Sequence, residues 1–290
     1  MPAKTVYEYC KEPIISVIIP SLDGDRQGNV SRLVESLREQ TFKEIEIIIS
    51  IGERPNGHAR NVGFNICSNS SQFLVFFDDD VIIDDKRILE KFVVALGIPE
   101  YGLVGAAQLP PPGSNRLQKW LAYDLGKASI SVQTTYLETE MVTHAGMACR
   151  REVWLEQAGE DSKLITGTDT DLRERLRNFG YKVVLVPDTL VYHPLPDRLY
   201  SVFASAYRHG WYQYDYRKKH GFQRGFLAMF PNVRSKIICA LIIIRELMII
   251  IPHTFIANRE NSLGFRPINA VFRIIMEYGY LKRCLTQNKN

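Results

Sequence analysis

The sequence predicts an α/β protein with a mixed, mostly parallel sheet flanked by helices, and a helical C-terminal extension. Three features carry that expectation: apolar, β-branched runs in the first 80 residues, helix-like segments between them, and a change of charge near residue 200. The first run, Ile14 to Pro20 (IISVIIP), lacks polar alternation, as in a strand covered on both faces. After the polar turn SLDGDRQGN, Val30, Leu33, Val34 and Leu37 recur at i, i+3, i+4 and i+7, which predicts an amphipathic helix with Asn29 as its N-cap. Glu44 to Ser50 (EIEIIIS) forms the next strand, a polar loop and a short helix around Arg60 to Cys67 follow, and Gln72 to Phe77 (QFLVFF) forms the third. Strands alternating with helices over so short a span imply βαβ units, whose ligands lie at the C-terminal ends of the strands. Further on, IPEYGLVGAAQ and KVVLVPDTLVYH read as strands and LPPPGSNR as a rigid exposed loop. TGTDTDLRERLRNFGY reads as an acidic turn entering a helix that ends near Gly180.

That topology gathers Pro20 to Asp25, Ser50 to Arg60 and Asp78 to Asp80 on one sheet edge. The last group sets three carboxylates side by side after a buried strand. One like-charge contact at about 4 Å costs roughly 4 kcal/mol at an effective dielectric near 20. A bound cation or a solvated acidic turn would relieve it, and the oxygens of Asp78 and Asp80 suit Mg²⁺ or Mn²⁺. Asp169 and Asp171 stand two apart at a predicted helix start, so one can cap the helix and leave the other as a general base. His193, closing another apolar run, reads either as a hydrogen-bonded structural histidine or as a metal ligand.

Residues 1–200 carry a net charge of −6 and residues 201–290 a net charge of +10. An acidic domain over 1–200 and a basic, apolar-rich helical extension over 201–290 follow as the expected organisation. Ile237 to Ile251 is nearly all apolar, yet Arg245, Glu246 and Pro252 make it short for a membrane span. Ile268, Val271, Phe272, Ile275 and Met276 form one apolar helical face with Asn269, Arg273 and Glu277 between them. That helix can pack on the acidic domain or lie at a membrane interface. The mixture of aromatics with Arg, Lys and His in SAYRHGWYQYDYRKKHG suits lipid headgroups better than nucleic acid, or forms an acceptor-site wall. Five scattered cysteines without a CxxC pair fit a reducing compartment, and the first residues carry no apolar run like a secretory signal. The expected location is cytoplasmic, peripheral at the inner face of the membrane.

The ordered segments SVIIPSLDG, SLREQTFKEIEIIIS, ARNVGFN, FFDDDV, HAGMACRREVW, GTDTDLRERLRNFGYKVVLVP and VYHP resemble the family 2 glycosyltransferases of the GT-A fold, over roughly residues 13 to 195. The resemblance implies an inverting enzyme that takes a sugar from a nucleoside-diphosphate sugar, with a UDP-sugar favoured and a GDP-sugar possible. Pro20, Ser21, Asp23, Ser50, Glu53, Arg60, Asp78 and Asp79 would then hold the nucleotide. Asp80 and His193 would hold Mn²⁺ or Mg²⁺, and Asp169 would be the catalytic base. His144, Gly146 and Thr168 would shape the sugar and acceptor pocket, the acceptor being a glycan or lipid-linked hydroxyl. Two departures stand out: Ser50-Ile51-Gly52 replaces the family's Asp-Asp-Gly, and Thr168-Asp169 replaces its Glu-Asp. The competing readings are a sugar-nucleotide nucleotidyltransferase and an inactive nucleotide-sugar-binding protein. PSLDGDRQGN is a poor version of the Gly-rich, basic loop the first of these needs, and the acids and His193 together disfavour the second.

Overall fold

The computed structural model describes residues 3–123, 131–220 and 266–287, with the isolated positions Leu241, Ile244 and Met248. The chain forms two compact units. The first comprises Met1–Pro112 and Ala128–Pro194, the second Gly113–Lys127 and Leu195–Asn290. The second unit thus draws in residues 113–127, which the sequence reading leaves in the catalytic domain.

The first unit is built on an eight-stranded sheet. Its strands are β1 (Ala3–Glu8), β2 (Ile15–Ser21), β3 (Ile45–Ile51), β4 (Phe73–Phe76), β5 (Tyr101–Leu109), β6 (Leu137–Glu138), β7 (Met147–Arg150) and β8 (Lys182–Tyr192). They lie in the order β1-β3-β2-β4-β7-β5-β8-β6. Strands β2, β3, β4, β5 and β8 share one direction, while β1, β6 and β7 run against them. β7 lies inside the sheet, between β4 and β5, so the segment leading into it emerges on the edge where its neighbours end.

Every residue of β2 is buried, as its unbroken apolar run requires. One face of the sheet packs under α1 (Asn29–Arg38) and α3 (Ile88–Leu96), through Leu33, Leu37, Phe92 and Leu96. The other packs under α2 (Asn56–Phe64), α5 (Arg151–Glu156) and α6 (Thr168–Asn178), where Phe76 stacks on Trp154 at 4.6 Å. The capping of α1 differs from expectation. Gly28, in the left-handed conformation at φ 84°, holds the N-cap, and Asn29 is the first helical residue. The side chain of Asp25, three residues upstream, accepts the Gly28 N–H at 3.0 Å.

The second unit contains α4 (Arg116–Tyr123), α7 (Leu199–His220) and α8 (Arg266–Gln287). Trp120, Leu121, Val202, Ala206 and Phe272 form its core, with Ile275 and Met276 packed against it. Phe272, Ile275 and Met276, from the periodic face expected of α8, thus pack with α4 and α7. α7 and α8 cross closely at two glycines: a Cβ on Gly210 would meet the Met276 carbonyl, and one on Gly279 the Tyr207 carbonyl. Glu277, placed by its periodicity on the polar face, is 4% exposed. It accepts two hydrogen bonds from Arg217, at 2.9 and 2.7 Å, and the Arg217 guanidinium lies 4.4 Å from the Tyr280 ring centroid. The apolar stretch Ile237 to Ile251 lies almost wholly outside the described residues. Among the described residues no helix is long and apolar enough to cross a membrane.

Candidate active site

β4 ends at Phe76, and Asp78, Asp79 and Asp80 leave the sheet at the edge where β2 and β8 also end. Ile82 then exchanges both backbone hydrogen bonds with Tyr192, at 2.8 and 2.9 Å. That bridge ties the acidic triplet to the end of β8 and brings His193 to it. His193 Nε2 lies 3.3 Å from Asp80 Oδ1 and 3.9 Å from Asp78 Oδ2. The structure therefore brings His193, Asp78 and Asp80 together at the sheet edge.

Within the chain, cationic side chains relieve the crowding of the triplet. Arg60, from α2, donates to Asp78 Oδ1 at 2.8 Å. Arg26, from the loop after β2, bridges Asp79 and Asp80, its Nη2 lying 2.8 Å from Asp80 Oδ2. Arg26 sits at φ 46°, beside Gln27 at φ 60°, and its turn is held by Asp23, whose Oδ1 accepts the N–H groups of Asp25 and Arg26 at 3.0 and 2.7 Å. Those two amides hold the Asp23 carboxyl below the usual carboxylate range. Burial works against the charge of Asp80, but His193 and Arg26 outweigh it and keep Asp80 ionised to lower pH than usual. Burial also disfavours the His193 imidazolium, while Asp80 and then Asp78 more than offset this and raise its pKa.

Asp80 and His193 are the residues that would hold a divalent ion at this corner. Asp80 Oδ1 is buried without a hydrogen-bond partner and faces His193 Nε2. No group of three or more His, Cys, Asp or Glu capable of holding a metal occurs among the described residues. Two protein donors, with the rest of the shell from a diphosphate and water, is a normal arrangement for Mg²⁺ in nucleotide sites. Behind the imidazole, Gln108 lies 3.0 Å from His193 Nδ1, and its Oε1 accepts from Thr143 Oγ1 at 2.8 Å. Ring orientation is thereby fixed from the side away from the acids.

The base candidate stands at the start of α6. Gly167, left-handed at φ 78°, is the N-cap, and neither Asp169 nor Asp171 caps the helix through its side chain. Asp171 is buried and receives Arg175 Nε at 2.9 Å. Asp169, about a quarter exposed, receives Arg173 Nη1 at 3.1 Å. Burial raises the pKa of Asp169, yet the charges of His144 and Arg173 and the Thr170 N–H lower it further, so it is ionised at neutral pH.

Arg60 also meets a second acid, Glu160, in the loop AGEDSK, which carries no motif in the sequence. Glu160 is 3% exposed. One oxygen meets His144 Nε2, and the other accepts from Arg60 Nη1 at 3.3 Å. Burial opposes its charge, but the charges of His144 and Arg60 bring its pKa down to about 2. An isolated buried carboxylate would be neutral instead, so its two partners determine its state.

The remaining sequence candidates divide in two. Ser21 is buried at the end of β2, its Oγ accepting the Gly24 N–H at 3.2 Å, and Pro20 precedes it in the strand. Glu53, in the loop before α2, lies 3.1 Å from His58 of that helix. Gly146 lets β7 begin against Phe77 and Val191, since a Cβ would lie 3.2 Å from Val191. Ser50 is different: it is fully buried, and its Oγ would lie 2.8 Å from a Cβ on Gly63 of α2. It packs strand on helix and does not present its side chain at the edge. Thr168 is buried and packs towards Gly57 of α2.

A family model described as glycosyltransferase like family 2 matches residues 14–210. The O-antigen chain rhamnosyltransferase WbaN of Salmonella anatum is 24% identical over 188 residues, 63% of this chain and 57% of that protein. The match thus spans little more than half the length of that curated relative. Among solved structures, the mannosyltransferase PcManGT of Pyrobaculum calidifontis, in complex with GDP-Man and Mn²⁺, aligns over 100% of this chain and 90% of its own. Its TM-score of 0.56 at 14% identity is a likeness of fold.

Proposed function

Since the chain belongs to glycosyltransferase family 2, we propose that it transfers a sugar from a nucleoside-diphosphate sugar to an acceptor hydroxyl with inversion at the anomeric carbon. The observation that carries this reading is the meeting of Asp78, Asp80 and His193 on one sheet edge, from the ends of two strands that are not neighbours. Asp169 takes the proton of the acceptor hydroxyl. The freed oxygen pair bonds to the anomeric carbon, and the bond to the diphosphate oxygen breaks with its electrons going to the diphosphate. Arg60 keeps Asp78 oriented on the donor side. When bound, a divalent ion held by Asp80 and His193 would neutralise charge growing on the leaving group.

The donor sugar is a hexose or deoxyhexose in this reading, and the acceptor a cell-surface or lipid-linked glycan, as the rhamnosyltransferase likeness suggests. Asp80→Ala should abolish the Mn²⁺-dependent part of nucleoside-diphosphate binding in calorimetry, with metal-free binding nearly unchanged. Equal Mn²⁺ enhancement in wild type and variant would reject the metal assignment.

The enzyme works, in the same reading, peripherally at the cytoplasmic face of the membrane. The net charge of +10 over residues 201–290 and the aromatic and basic side chains of α7 support this. The full chain should sediment with anionic vesicles at low salt and remain in solution with neutral ones. No preference for anionic vesicles would refute the membrane contact.

A further inference from the structure

We propose that Glu160 is a positioning residue that fastens Arg60, which holds Asp78 on the donor side, and His144 to one buried anion, an inference that rests on the transferase reading. Its two carboxylate oxygens are divided between them. One accepts from Arg60, whose other amino group donates to Asp78 at 2.8 Å, and the second meets His144 Nε2.

The fold fixes this carboxylate from several directions. Asn61 pairs with the Glu160 backbone both ways, its amide donating to the Glu160 carbonyl at 2.7 Å and its oxygen accepting the Glu160 N–H at 3.0 Å. Arg175 of α6 holds the carbonyls of Gln157 and Gly159 at 2.6 and 2.9 Å. Gly159 is left-handed at φ 70°, and a Cβ there would lie 2.4 Å from Asn61 Oδ1. Gly57 leaves the space the carboxylate fills, since a Cβ on it would lie 2.9 Å from Glu160 Oε2. The backbone clamp would hold the loop on α2 with any side chain at position 160. The loop therefore does not need the buried charge, whereas the alignment of Arg60 and His144 does. Burying a carboxylate is costly unless its partners are well placed, and such groups gather where geometry must be held for chemistry.

Glu160→Gln tests this, because the amide keeps the shape and loses the charge. Nucleoside-diphosphate affinity with Mn²⁺ should fall about tenfold, and kcat at saturating donor about a hundredfold, the scale of losing charge-assisted hydrogen bonds. Glu160→Asp should regain at least about tenfold in kcat. A folded Glu160→Gln protein with affinity and kcat both within twofold of wild type would overturn the proposal, as would a Glu160→Asp protein no better than Glu160→Gln. Should Glu160→Gln fail to fold, His144→Gln breaks only one arm: kcat should drop with nucleotide affinity kept within twofold. Lost affinity or unchanged kcat there would also overturn it. The affinity arm needs no sugar transfer. A wild-type chain that binds the nucleotide but transfers no sugar would count against the transferase reading alone, and unchanged affinity in Glu160→Gln would count against the anchor.

Discussion

Asp169→Asn should lower kcat by about 10²–10⁴-fold, the range a positioned general base contributes, and leave nucleoside-diphosphate affinity within about twofold. The substitution is nearly isosteric, and Gly167 caps α6 without help from the carboxylate, so the helix start should survive. Arg173 would lose one of its two ionic partners, but it keeps Glu140 at 3.8 Å and still donates to the Val142 carbonyl and to Thr170. Because the charges of His144 and Arg173 hold the Asp169 pKa below the usual carboxylate range, the base is ionised throughout the neutral range. Wild-type kcat should therefore be flat across neutral pH with respect to this group and fall only in acid, below the pH at which an ordinary aspartate protonates. A low pKa also makes the carboxylate a weak base. It suits a transfer in which the acceptor oxygen gives up its proton late, once bonding to the anomeric carbon has made that proton acidic. Full activity in Asp169→Asn would sink the base assignment, and an acid limb near pH 6 would sink the account of its environment.

The parts of this molecule that were legible in the sequence are those governed by local pattern. IISVIIP reads as a strand covered on both faces and EIEIIIS as the next strand, with an amphipathic helix between them, so the edge carrying Asp78 and Asp80 follows from topology. Where the chain departs from expectation, contacts distant in sequence decide. β7 is four residues long, and nothing in MACR signals that it inserts antiparallel between β4 and β5. Glu277 has the periodicity of a solvated position and is buried because Arg217, sixty residues earlier, neutralises it. Ser50 looked like an edge residue because it ends a strand, but Gly63 brings α2 down onto it. Arg26 and Glu160 sat in turns whose composition suggests solvent, and only the fold shows that they meet acids 53 and arginines 100 positions away. The one available signal was charge balance: three adjacent acids after a buried strand demand cations, and ARN supplies one.

Arg60→Met should destabilise the protein by about 3–5 kcal/mol at pH 7, the scale for removing one partner of a buried ion pair. Methionine fills much of the same space, so the loss should come mainly from charge. Arg60 is 1% exposed and lies between two carboxylates, Asp78 and Glu160. Without it, Glu160 keeps only His144, and burial then pushes its pKa upward. The pH dependence follows from that direction. In the wild type, Glu160 has a folded pKa of about 2, below its ordinary 4.5. Its contribution is fully present above about pH 4.5 and is lost as the pH falls towards 2. In Arg60→Met that contribution shrinks, so the variant should unfold at higher pH than wild type during acid titration. The difference in stability should be largest at neutral pH and narrow progressively below about pH 4.5, as the unfolded chain takes up the proton, closing only as the pH nears 2. Urea unfolding at pH 7 and pH 3.5, followed by circular dichroism, separates the charge effect from packing. A stability loss equal at both values would mean that Arg60 acts through its volume, and the buried charge network would have no energetic role.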